Sequence, residues 1–92
     1  MSDIYTTLAN KIIKEQEAVI GPLAWSEAGK VKGLKVTDHS ILIKGEGKVI
    51  LESLVNQYST LFGRASIEVC KDAVRTLVTN LDQAQLPKIL LS

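Results

Sequence analysis

Apolar residues recur at Ile4, Leu8, Ile12, Ile13, Val19 and Ile20, at the spacing of one helix face, with Lys11, Lys14, Glu15 and Glu17 on the other. The pattern predicts a helix from Asp3 to Ile20, with Ser2 or Asp3 accepting hydrogen bonds from its first free amides. Gly21-Pro22 stops it, because proline disfavours helical geometry in the residue before it. Pro22 is suited to open a short second helix running to about Lys30, where a missing N–H costs nothing. That helix presents Leu23, Trp25 or Ala24, and Ala28, and Gly29 and Gly33 offer left-handed positions to end it.

From Leu34 to Lys44 the period changes from the helical one to two. With Asp38-His39 as a turn, Thr37 faces Ser40, Val36 faces Ile41 and Leu34 faces Ile43, so the apolar pairs share one face while Lys35 and Leu42 share the other. The turn lacks the favoured glycine, which leaves a four-residue loop as the alternative. Gly45-Glu46-Gly47 ends the strand. A helical stripe then runs through Ile50, Leu51, Leu54, Val55, Tyr58, Leu61 and Phe62 to a glycine stop at Gly63. About three residues later, with Ser66 as its cap, a last helix carries Val69, Cys70, Ala73, Val74, Leu77, Val78 and Leu81 on one face. Such a short link makes the two helices pack on each other. The expected fold is therefore a mostly helical α+β domain over residues 1–82: an N-terminal helix, a short helix, a two-stranded antiparallel hairpin and two long packed helices. Residues 83–92 form an apolar tail with Leu86, Pro87, Ile89, Leu90 and Leu91, which either folds back on the domain or docks elsewhere.

Composition narrows the function classes. Ninety-two residues make one domain whose core buries about 60–65% of the unfolded surface. Eleven basic residues against ten acidic ones leave a net charge of +1, without the global charge of a nucleic-acid or membrane protein. The single cysteine allows no intrachain disulfide, no apolar run approaches a membrane span, and the first residues lack a signal-peptide profile. The cytoplasm is the expected compartment and no membrane partner is expected.

Candidate chemistry is sparse. Cys70 lies in an apolar stripe, where a free cysteine behaves as a small hydrophobe, and His39 falls at the hairpin tip, so a Cys–His nucleophile is not expected. Glu68 and Asp72 share a helix face, but Lys71 and Arg75 beside them read as a solvated, charge-balanced surface. Lys44-Gly45-Glu46-Gly47-Lys48 sits where a phosphate loop would, yet Leu42 replaces its first glycine and Val49 its hydroxyl residue, so a simple turn is expected. No metal, cofactor or catalytic set is expected.

Two surfaces remain. Lys30, Lys32, Lys35, Lys44 and Lys48 make a basic region around the hairpin, fit for an anion or nucleic acid, or for guarding strand edges. A lone hairpin is marginal in water, and with the tail it supplies Leu34, Val36, Ile41, Ile43, Leu86, Ile89 and Leu90 as an oligomer interface. The leading expectation is a non-catalytic, regulatory interaction module that forms a homodimer and binds another macromolecule, such as a protein. A DNA-associated regulator using a helix-turn-helix-like corner at Gly63 or the basic hairpin is the alternative, and a small-molecule binder near Trp25 and Tyr58 a further one.

Overall fold

The computed structural model describes residues 4–37, 40–78, 86–87 and 90. Along them run α1 (Ile4–Ile20), α2 (Leu23–Ala28), β1 (Leu34–Thr37), β2 (Ser40–Ile43), α3 (Gly47–Phe62) and α4 (Arg64–Val78). This is the mostly helical α+β order that the patterning predicts. Position Asp38-His39, the Ser2 or Asp3 cap, Leu81 and Ile89 lie outside the described residues.

α1 buries Leu8, Ala9, Ile12, Ile13 and Gln16 and stops where Gly21 turns to φ 74°, its amide donating to the Glu17 carbonyl at 2.8 Å. Only a residue without Cβ takes that conformation without strain. Pro22 precedes α2 as its N-cap, its carbonyl accepting the Trp25 amide at 3.1 Å. Gly29 ends α2 in right-handed geometry, φ −64°, against the left-handed expectation. The left-handed residue is Gly33, φ 89°, and the space confirms the need: a Cβ there would lie 2.8 Å from both the Lys44 carbonyl oxygen and Ile50 Cδ1.

The hairpin has the predicted register, Leu34 with Ile43, Lys35 with Leu42, Val36 with Ile41 and Thr37 with Ser40. The Lys44 amide extends the ladder by donating to the Gly33 carbonyl at 2.7 Å. Leu34 is buried, and Val36, Ile41 and Ile43 pack on the helical core, which supplies the cover that two strands alone lack.

The link between α3 and α4 is tighter than expected. Gly63 alone joins them, at φ 84°, its amide donating to the Ser59 carbonyl at 2.8 Å and its own carbonyl accepting the Ser66 amide at 3.1 Å. One left-handed residue both ends α3 and starts α4, so the helix begins at Arg64 and Ser66 is buried inside its first turn rather than capping it. α1 packs against α4 and α3, and α3 against α4, around Leu51, Leu54, Val55, Tyr58, Cys70 and Val74. Leu86 and Leu90 belong to the same core, so at these positions the chain beyond α4 has folded back on the domain.

Candidate functional site

Three polar links set how the helices meet. Gln16 of α1 is buried, its Nε2 donating to the Ser66 carbonyl at 3.0 Å and to Cys70 Sγ at 3.3 Å on α4. The Tyr58 hydroxyl of α3 donates to the Ala24 carbonyl of α2 at 2.7 Å. Glu27 of α2 accepts from Lys30 Nζ at 3.0 Å and from Gln57 Nε2 at 2.8 Å. Those two donors, Lys30 first, hold its carboxyl below the usual carboxylate range. Together these links bring the end of α1, the start of α2, the end of α3 and the start of α4 to one end of the molecule. The hairpin lies at the other end of α3, where Gly33 and Gly45 approach Ile50.

The chemical candidates settle into structural roles. Burial pushes the Cys70 thiol up to about 11, against the lowering effect of Gln16, so at neutral pH it is a protonated side chain in the core. Tyr58 is likewise raised by burial first, and then by Cys70 and Glu27. Trp25 and Tyr58 are both buried side chains of the core. Glu68 pairs with Lys71 at 3.3 Å and Asp72 with Arg75 at 2.6 Å, the charge-balanced face that the spacing predicts. Among the described residues no three His, Cys, Asp or Glu side chains gather as a metal site would require, and no helix is long and apolar enough to cross a membrane. The phosphate-loop comparison ends at Gly47, which is buried as the first residue of α3 with the Tyr5 ring where its Cβ would be. The Gly63 corner has one residue where a helix-turn-helix has a turn of three or four, and α4 exposes Glu68 and Asp72 beside its cations.

The five lysines are not equivalent. Lys30 is bound to Glu27, and Lys48 is half-buried and not free. Lys32, Lys35 and Lys44 are exposed and make no ion pair with any described residue. Lys35 and Lys44 flank a depression of about 220 Å³ that Gly33 and Leu34 complete. A second depression, about 370 Å³, lies between α1 and α4, where Lys11 is already set against Glu15 at 3.9 Å.

The expected oligomer surface is corrected by the burial. Leu34, Leu86 and Leu90 are interior residues of their own chain, and Val36, Ile41 and Ile43 pack on its core, because helices α1 to α3 cover the hairpin's apolar face. Apart from Leu42 on the hairpin and Val49 in the first turn of α3, the exposed large apolar groups are elsewhere. Val19 is 64% exposed, Leu23 44%, Leu61 49% and Phe62 37%, all at the end where α1, α2, α3 and α4 meet. Leu61 and Phe62 stand three and four residues past buried Tyr58, and Val19 stands three past buried Gln16, so each continues its helix's core stripe. The spacing placed them on that stripe; that the stripe overruns its cover is a tertiary fact which periodicity does not carry. Residues 18–26 and 53–63, which form part of this end, contain no charged side chain, a signal present in the sequence, whereas Glu27, Lys30 and exposed Arg64 border them. Comparison with family models, with curated proteins and with solved structures gives no match.

Proposed function

We propose that this domain is a non-catalytic interaction module that pairs with a second copy of itself through the open end of its helical core. The observation that carries the reading is the overrun: the apolar stripes of α1 and α3 continue one turn past the residues that cover them, leaving Val19, Leu23, Leu61 and Phe62 in water. Contiguous exposed apolar surface of this kind marks a partner surface. A second copy is the occupant that the charge pattern favours. A two-fold axis sets the same patch against itself, and residues 18–26 and 53–63 add no charge to it, while Glu27, already paired with Lys30, and exposed Arg64 stand at its border.

Light scattering behind a sizing column tests this directly. The unaltered chain is expected at twice its 10.0 kDa mass at high concentration. The L61E/F62E variant is expected at the single-chain mass with unchanged helical circular dichroism. A single-chain mass for the unaltered protein at every concentration would contradict the proposal, as would a dimer that survives L61E/F62E.

A further inference from the structure

The hairpin's outward face has a composition of its own. Pleating sends Lys35 and Thr37 of β1 and Ser40 and Leu42 of β2 away from the core, and Lys44 follows in the same alternation; all five are exposed. Lys35 is opposite Leu42, so Lys44, two residues on, is its diagonal neighbour, about 7 Å away across the pair. A depression there is lined by Gly33, Leu34, Lys35 and Lys44. Lys32, just before Gly33 in the chain, is exposed. Elsewhere Lys11, Lys30, Lys71 and Arg75 are each set against a carboxylate, whereas Lys32, Lys35 and Lys44 have none among the described residues; Lys14 and Arg64 also have none, but they stand singly on α1 and α4.

We propose that this outward face binds the phosphate backbone of duplex DNA, with the hairpin lying along the major groove, Lys35 and Lys44 on phosphates of one strand and Lys32 flanking them. The diagonal lysine pair has the spacing of neighbouring phosphates on a strand. A two-stranded ribbon is one of the two elements that the major groove admits. Thr37 and Ser40 carry hydroxyls that donate to base edges or phosphates, and Leu42, 53% exposed, offers an alkyl surface to a thymine methyl. The same residues argue against other polyanions. Among its described residues the face has no aromatic side chain on which unpaired bases would stack, and the major groove of duplex RNA is too narrow for a ribbon. One leucine among two hydroxyls and two lysines is a poor insert for a lipid surface. The face lies at the opposite end of α3 from the apolar end, so this reading stands whether or not two copies pair.

The test is fluorescence anisotropy of a labelled DNA duplex of about two helical turns, titrated with the full chain at several salt concentrations. Two to three neutralised phosphates give a slope of log affinity on log salt of about −2 to −3, so a fourfold rise in salt weakens binding roughly 15- to 60-fold. In K35Q/K44Q the affinity falls on the order of tenfold at low salt and the slope shrinks toward about −1. Both side chains are exposed, so the variant keeps its fold, and circular dichroism verifies this. The L61E/F62E chain, run alongside, keeps its lysine dependence, which separates this face from self-pairing. Absence of duplex binding would overturn the proposal, and so would binding that K35Q/K44Q leaves intact. Binding to anionic vesicles or to an acidic peptide but not to the duplex would overturn it in favour of that partner.

Discussion

The two ends of α3 are built from the same pattern and finish differently. The helix spans about 24 Å, and one apolar stripe runs its whole length. At its first turn Gly47 lies under the Tyr5 ring, and Ile50 and Leu51 are buried, Ile50 close to Gly33 and Gly45 at the base of the hairpin, while Val49, off the stripe, is exposed. At its last turn Leu61 and Phe62, on the same stripe, lie in water beside Val19 and Leu23. The hairpin beyond the sealed end carries exposed Lys35 and Lys44, whereas at the open end residues 18–26 and 53–63 carry no charge and Glu27, Lys30 and Arg64 stand at their border. A helical stripe therefore states which side of a helix is apolar, and the neighbours decide whether that side is core or surface.

The sharpest break of this comparison uses one residue type on one helix. Leu51→Ala, at the sealed end and fully buried, is expected to lower stability by about 3–4 kcal/mol in urea unfolding, because it removes core contacts and leaves a cavity. Leu61→Ala, at the open end, is expected to cost less than about 1 kcal/mol when measured at concentrations too dilute for pairing. Equal costs would mean that the open end is covered in solution by the chain itself.

Gly47→Ala comes next, at about 2–3 kcal/mol, since the new methyl group meets the Tyr5 ring and α1 must shift away from α3. Tyr58→Phe is expected to cost about 1–2 kcal/mol by leaving the Ala24 carbonyl without its hydrogen bond, with no change in assembly. A change in assembly instead would tie that hydrogen bond to the pairing surface.

The pH dependence follows from the same buried groups. Cys70 and Tyr58 have raised values in the fold, so their contribution is complete below the values of the unfolded chain and is lost as pH rises past them. From about pH 9 upward stability should decline, by about 2–3 kcal/mol from Cys70 alone by the time it titrates in the fold. Cys70→Ala should flatten the first part of that decline in urea unfolding repeated at each pH. Glu27 behaves oppositely: its lowered value contributes stability above the usual carboxylate range, and that contribution is lost as pH falls through the folded value.

Alternation in Leu34–Thr37 and Ser40–Ile43 was enough to give the hairpin register, because a slip by one residue would turn every apolar side chain to water. Helix stripes gave the four helices for a similar reason. The α3–α4 corner was misjudged by two residues, since Ser66 is a good capping residue by type, but Gly63 in left-handed geometry can end one helix and start the next alone. Gln16 was invisible as a core residue: its role depends on meeting the Ser66 carbonyl and Cys70 fifty and more positions away. The interface expectation failed at Leu34, Leu86 and Leu90 because apolar content does not say which apolar groups the domain itself will use. The lysine region was legible, but its division into bound Lys30, engaged Lys48 and Lys32, Lys35 and Lys44, which have no ion pair among the described residues, required the fold.

The central claim is that the open end, and not the hairpin, is where two copies meet. Amide hydrogen exchange compared between dilute and concentrated protein tests it most directly, because it reports position as well as association. Protection is expected to rise with concentration in the last turns of α1 and α3 and at the start of α2, with no change in β1 or β2. A rise confined to the hairpin, or protection that is independent of concentration throughout, would contradict it.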